Sequence, residues 1–158
     1  MKLGEALSLI KAKKGYMASQ YELMKEHMFY ETGKKPEFAV ADIFDNLEKA
    51  EKELRNLKIS VMEANLSKKL ENGMSPAEAI ISIGDIRSRI AQMERAKKDP
   101  YKDRLLFRSD DKRIEYVSQV PLKELEDKIK ALEARKIKLD AELQTANWNI
   151  DINHQESS

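Results

Sequence analysis

The sequence predicts a mainly all-α fold: an antiparallel bundle or coiled coil of four long helices, with a small β-hairpin between the third and fourth. Three observations predict it. Val40 to Ala64 carries an unbroken heptad seam, with Val40, Leu47, Leu54 and Val61 at one position and Ile43, Ala50, Leu57 and Ala64 at the other. Glycine and proline are scarce, at 5 and 4 residues of 158, while charged residues reach 36%. That mixture suits long helices with solvated, ion-paired outer faces. Finally, Ser75-Pro76-Ala77-Glu78 combines a capping serine, a first-turn proline and a glutamate that can reach back to the cap.

The elements follow in order along one domain spanning 1–158. A helical hairpin is expected over 1–66. Its first helix, Lys2 to Tyr30, has Leu3, Ile10, Met17 and Met24 alternating with Leu7, Lys14, Tyr21 and Met28. Lys14 is the polar intruder, either a partner-choosing residue or a stem whose ammonium snorkels to water. Gly33 and Pro36 end that helix. The central helix then runs from Glu37 to Leu66, and the two make a hairpin roughly 40 Å long. Asn72-Gly73 marks the next turn.

The third helix, over 75–98, presents Ala79, Ile83, Ile86, Ile90 and Met93. Gly84 inside it suggests the close approach of another helix. Over 104–120 the period shortens. Leu105 to Arg108 and Arg113 to Val120 read as strands around the turn residues Ser109 to Lys112, with Ile114, Tyr116, Ser118 and Val120 on one face. Pro121 opens the fourth helix, over 121–147, whose seam is Leu122, Leu125, Ile129, Leu132, Lys136, Leu139, Leu143 and Ala146. Trp148 lies just past it, to dock on the bundle end or to anchor a partner. A polar tail closes the chain over 153–158.

Composition narrows the function classes. With no cysteine, disulfides, thiolate metal sites and cysteine nucleophiles are excluded, and a reducing cytoplasm fits. The N-terminal stretch lacks the apolar core of a signal peptide, and no apolar run approaches the roughly 20 residues of a membrane span. Net charge is +1 with both signs interleaved, so a general attraction to nucleic acid is not expected. His27 and His154 lack metal-ligand spacing, no phosphate loop is present, and no cofactor is expected. His27 can pair with Glu31 one turn on.

The remaining polar constellation is Asn65, Glu78 and Asp85. Seven residues separate the two carboxylates, which puts them on one helical face, as a cation-dependent enzyme would need. The plainer reading gives Glu78 to the cap and Asp85 to Arg89 at i+4. Arg87, Arg89, Arg95, Lys97 and Lys98, with Lys11, Lys13 and Lys14, raise nucleic-acid binding as another alternative. Arg87 and Arg89, about 200° apart on a helix, do not form one stripe.

Met1 to Leu7, Asn65 through Leu70-Glu71-Asn72-Gly73 to Ile80, Asp85, Tyr101, Arg108-Ser109, Tyr116-Val117-Ser118 and Ala146-Asn147-Trp148 carry a family likeness. In these stretches the chain resembles a small bacterial family of uncharacterised proteins labelled septicolysin-like. The family brings no catalytic residues, and its label implies a cytolysin. The lack of a membrane-length segment speaks against that activity. The expected function is therefore a non-enzymatic coiled-coil interaction or assembly protein, a homo-oligomer formed through helical seams. Lys14, Lys136 and Trp148 are its candidate interface residues.

Overall fold

In the computed structural model, residues 1–98 and 116–153 are described. They hold four helices, α1 (Leu3–His27), α2 (Val40–Ser67), α3 (Pro76–Ala96) and α4 (Leu122–Asn149). The chain divides into two compact units. One comprises Met1–Pro76 with Gln144–Ser158, and the other Ala77–Leu143.

In the first unit α1 packs along α2. The α2 seam is realised almost whole: Ile43, Leu47, Ala50, Leu54, Leu57, Val61 and Ala64 are buried, and only Val40, in the first turn, is half-buried. Charges between these positions stay in water, so burial and solvation select the same face. The helix begins at Val40 rather than Glu37, where Ala39 offers no capping side chain and its carbonyl accepts from the Asp42 amide at 3.0 Å.

The α1 register differs from the expectation. Leu3, Gly4 and Ala6 are buried, and Ile10, Lys13, Met17, Gln20, Met24 and His27 are half-buried, whereas Leu7, Lys14, Tyr21 and Met28 are exposed. The second row of the seam thus sits one residue earlier than hydropathy placed it. Lys13, not Lys14, is the lysine in the seam, and its ammonium pairs with Glu53 of α2. A lysine with a carboxylate opposite can hold such a position, because its stem packs while its charge is met. His27 turns its Nδ1 toward Glu37, 4.0 Å away, and stacks obliquely on Phe38 with centroids 4.5 Å apart. Glu31, its expected partner, pairs instead with Lys34.

Gly33 and Gly73 both adopt positive φ, at 87° and 85°, which is where a turn needs glycine. Around Gly73 the turn closes on itself: the Leu70 amide donates to the Met74 carbonyl at 2.8 Å, and the Met74 amide to Asn72 Oδ1 at 2.9 Å. Leu70 is buried beneath it.

The residues after α4 clasp the start of α1. Lys2 and Asp151 form an antiparallel bridge. The Leu3 amide donates to the Ile150 carbonyl at 2.9 Å, and the Ile152 amide to the Met1 carbonyl at 3.0 Å. Ile150 and Ile152 are buried with Leu3. Lys2 Nζ adds an ion pair to Asp151 Oδ2 at 2.8 Å. That hydrogen bond holds the Asp151 carboxyl below its ordinary value of 3.8, against a smaller opposing effect of desolvation. A carboxylate depressed in the folded state stabilises fully above its unfolded pKa and loses that contribution as pH falls through the folded one. Asp151→Asn should therefore flatten the acid side of the stability profile below about pH 4, read by urea denaturation at a series of pH values.

Gly4 permits the clasp. A Cβ at this position would lie 3.1 Å from the Asn147 carbonyl oxygen and 3.4 Å from the Trp148 ring. Gly15 and Gly84 are different, since a Cβ there meets nothing within 4 Å. Among the described residues no helix approaches Gly84 closely enough to explain it. Gly15→Ala and Gly84→Ala should each stabilise by about 0.5–1 kcal/mol, because helical glycine carries only its entropic cost there. Gly4→Ala should lower the thermal midpoint, and a rise would show that Asn147 yields freely.

In the second unit α3 and α4 pack as a pair, with Lys97 reaching Glu126 at 3.6 Å. Ala79, Ile83 and Ile86 of α3 are buried, as are Ile129 and Leu139 of α4. Pro76 starts α3, preceded by the buried Ser75. Lys136 is half-buried in the α4 seam, as its register predicts, while Leu122 is exposed. The expected β-hairpin is not supported. Its residues 104–115 lie outside the described ones, and 116–120, assigned to its second strand, carry no strand. Ser118 Oγ donates to the Val120 carbonyl instead, and Val117 stands 88% exposed, so alternation there does not track a buried face.

Candidate functional site

Asn65, Glu78 and Asp85 do not assemble into a site within either unit. Asn65 is half-buried near the end of α2 in the first unit, whereas Glu78 and Asp85 are exposed on α3 in the second. Glu78 is engaged in an interaction of its own. Asp85 makes no ion pair among the described residues, so its pairing with Arg89 is not realised. No group of three or more histidine, aspartate or glutamate residues among those described is placed to hold a metal ion.

The basic residues are divided in the same way. Lys97 is held by Glu94 at 3.4 Å and by Glu126 at 3.6 Å, and Lys13 by Glu53. Both lysines are thereby partly neutralised, which leaves each cluster short of a phosphate-tracking row. No helix of the described residues is long and apolar enough to cross a membrane.

Of the expected interface residues, Lys14 is exposed outside the α1–α2 seam and Lys136 lies within the α4 seam. Trp148 is 63% exposed, with one edge of its ring against Gly4. It covers the clasp and still shows most of its surface to water.

The feature that spacing alone passed over is a second stripe on α2. Phe44, Glu48, Glu51, Arg55, Ile59, Met62 and Leu66 recur at intervals of four and three, on the side turned away from the buried seam. Phe44, Ile59, Met62 and Leu66 are all exposed, Met62 at 62% and Leu66 at 65%. Met17 of α1 joins Glu51, Leu54, Arg55, Lys58, Ile59 and Met62 in lining an open groove along it. Tyr21 borders the same side, its hydroxyl donating to Glu51 Oε1 at 3.2 Å. That bond to a carboxylate raises the tyrosine pKa above 10.0, with desolvation and the Glu51 charge adding to it. Neither Glu48, Arg55 nor Lys58 makes an ion pair among the described residues. The signal was in the sequence, since Ile59, Met62 and Leu66 are apolar at helical spacing. The stronger seam on the same helix masked it.

Comparison with known proteins gives the fold and no activity. A family model described as a family of unknown function matches residues 17–152. Among solved structures, the crystal structure of a functionally unknown conserved protein from Corynebacterium diphtheriae is similar, with a TM-score of 0.74 and 19% identity. The match covers 97% of this chain and 99% of that one. No curated protein matches. These findings overturn the resemblance to a septicolysin-like family, to which nothing among them points, and the cytolysin reading falls with it. Among the residues that suggested it, Asn72-Gly73 and Ser75 to Glu78 are turn and cap chemistry, which helical hairpins share whatever their family.

Proposed function

The chain belongs to DUF6847, a family of unknown function, and from the surface it presents we propose a non-enzymatic helical interaction protein that associates with itself. The observation that carries this reading is the outer face of α2, where Ile59, Met62 and Leu66 stand exposed at helical spacing beside Met17. Apolar side chains exposed singly are ordinary, but a contiguous helical stripe rimmed by charge is the form of an association surface. A second copy is the simplest partner, because a two-fold pairing lets one stripe cover another. The absence of cysteine suits a reducing compartment, and the reading places the protein in the cytoplasm. Nucleic acid is not part of it, given a net charge of +1.

Light scattering at tens of micromolar should return a multiple of the 18.2 kDa chain mass, falling toward that value on dilution. The mass of one chain throughout would reject self-association.

A further inference from the structure

We infer that the association surface is the outer stripe of α2 packed antiparallel on the same stripe of a second copy, with the two-fold axis passing at Arg55. This rests on the self-association proposed above and specifies where it occurs. The spacing of the stripe is the same in both directions from Arg55, so stripe positions equally far from it in sequence stand opposite one another about such an axis. Phe44 then faces Leu66 of the second copy, Glu48 faces Met62, and Glu51 lies beside Lys58 and Ile59.

Charge decides for this arrangement over a parallel one. Glu48 and Glu51 lie on the N-terminal side of Arg55, and Lys58 lies on the C-terminal side. An antiparallel pairing sets Glu51 of each copy beside Lys58 of the other. A parallel pairing would set each charge against its own kind, which disfavours it. The two Arg55 side chains straddle the axis, each with Glu51 of the other copy one turn away. Glu48, Arg55 and Lys58 make no ion pair among the described residues, and a second copy would supply them with partners. The groove between Glu51 and Met62 sits across the axis position and offers a seat for the opposing helix. From Phe44 to Leu66 the stripe runs roughly 33 Å at 1.5 Å per residue, long enough for a stable helix pair with flanking contacts from α1.

The test uses the full chain and two single charge reversals, Glu51→Lys and Lys58→Glu, followed by sedimentation equilibrium. Each reversal makes two repulsive pairs in a homodimer, and each should weaken self-association by about tenfold or more. In an equimolar mixture every pair across the axis is again opposite in sign, so the two variants should form a mixed dimer with affinity near that of the parent. Because the chain has no cysteine, Arg55→Cys supplies a second readout. A residue on the axis meets its own copy within disulfide distance, so this variant should cross-link to a dimer under mild oxidation. A parent chain that is monomeric removes the association reading and this one together. A dimeric parent overturns this inference alone if the single reversals leave affinity unchanged. It does so too if their mixture fails to recover it, or if Arg55→Cys stays uncross-linked.

Discussion

Leu57→Ala is expected to destabilise the protein by about 2–5 kcal/mol, the range for removing a fully buried leucine whose surroundings relax only in part. Leu57 is 0% exposed, in the middle of the α2 seam, with Leu54 and Val61 buried one turn to either side. Three further carbons lie in the leucine side chain than in alanine, and packed neighbours on both helices would face the gap. Ile59→Ala, two residues on, is the matched control. Ile59 points outward, and its truncation should change the urea midpoint by less than about 0.5 kcal/mol equivalent in a monomeric dilution regime. Equal effects at the two positions would mean that α2 is rotated from the orientation described.

Ending the chain after Asn149 is the second large effect expected. It removes Ile150 and Ile152, both buried, and each contributes roughly 1.5–3 kcal/mol by area removed from water. It also strands the Leu3 amide and the Met1 carbonyl, which lose their bonds to Ile150 and Ile152. The shortened chain should unfold at markedly lower denaturant than the parent. Hydrogen exchange should show the loss concentrated in the first two turns of α1, since the clasp is what fixes that end. Unchanged protection of the Leu3 and Ala6 amides would show that α1 is held without it.

How much of this was legible in sequence depends on how unambiguous each pattern is. On α2, charges fill most positions between the seam residues, so hydropathy admits only one face, and seven of its eight seam residues are buried. On α1 the rows beginning at Leu7 and at Ala6 both satisfy the three-and-four spacing. Size and hydropathy favoured Leu7, Tyr21 and Met28, while packing chose Ala6, Lys13 and His27. A small residue admits close approach, and Lys13 is held by Glu53, a pairing no single-helix pattern displays. The clasp of Lys2 and Asp151 joins residues 149 apart in sequence, beyond any local periodicity. For Asn65, Glu78 and Asp85, spacing showed a shared helical face for the two carboxylates. A shared face is one requirement of a site; that Asn65 falls in the other unit is not something helical spacing reports.

The clasp also sets an order of events during synthesis. Lys2 and Leu3 leave the ribosome early, yet their partners Ile150 to Ile152 are translated only after the whole of α3 and α4. At the usual pace of roughly 5–20 residues per second, the first turn of α1 waits many seconds for its backbone bonds. The unit from Ala77 to Leu143 is contiguous, whereas the other joins both ends of the sequence and is complete only with its last residues. On refolding from denaturant, amides of the α3–α4 pair should therefore gain protection before those of Leu3 and Ile152.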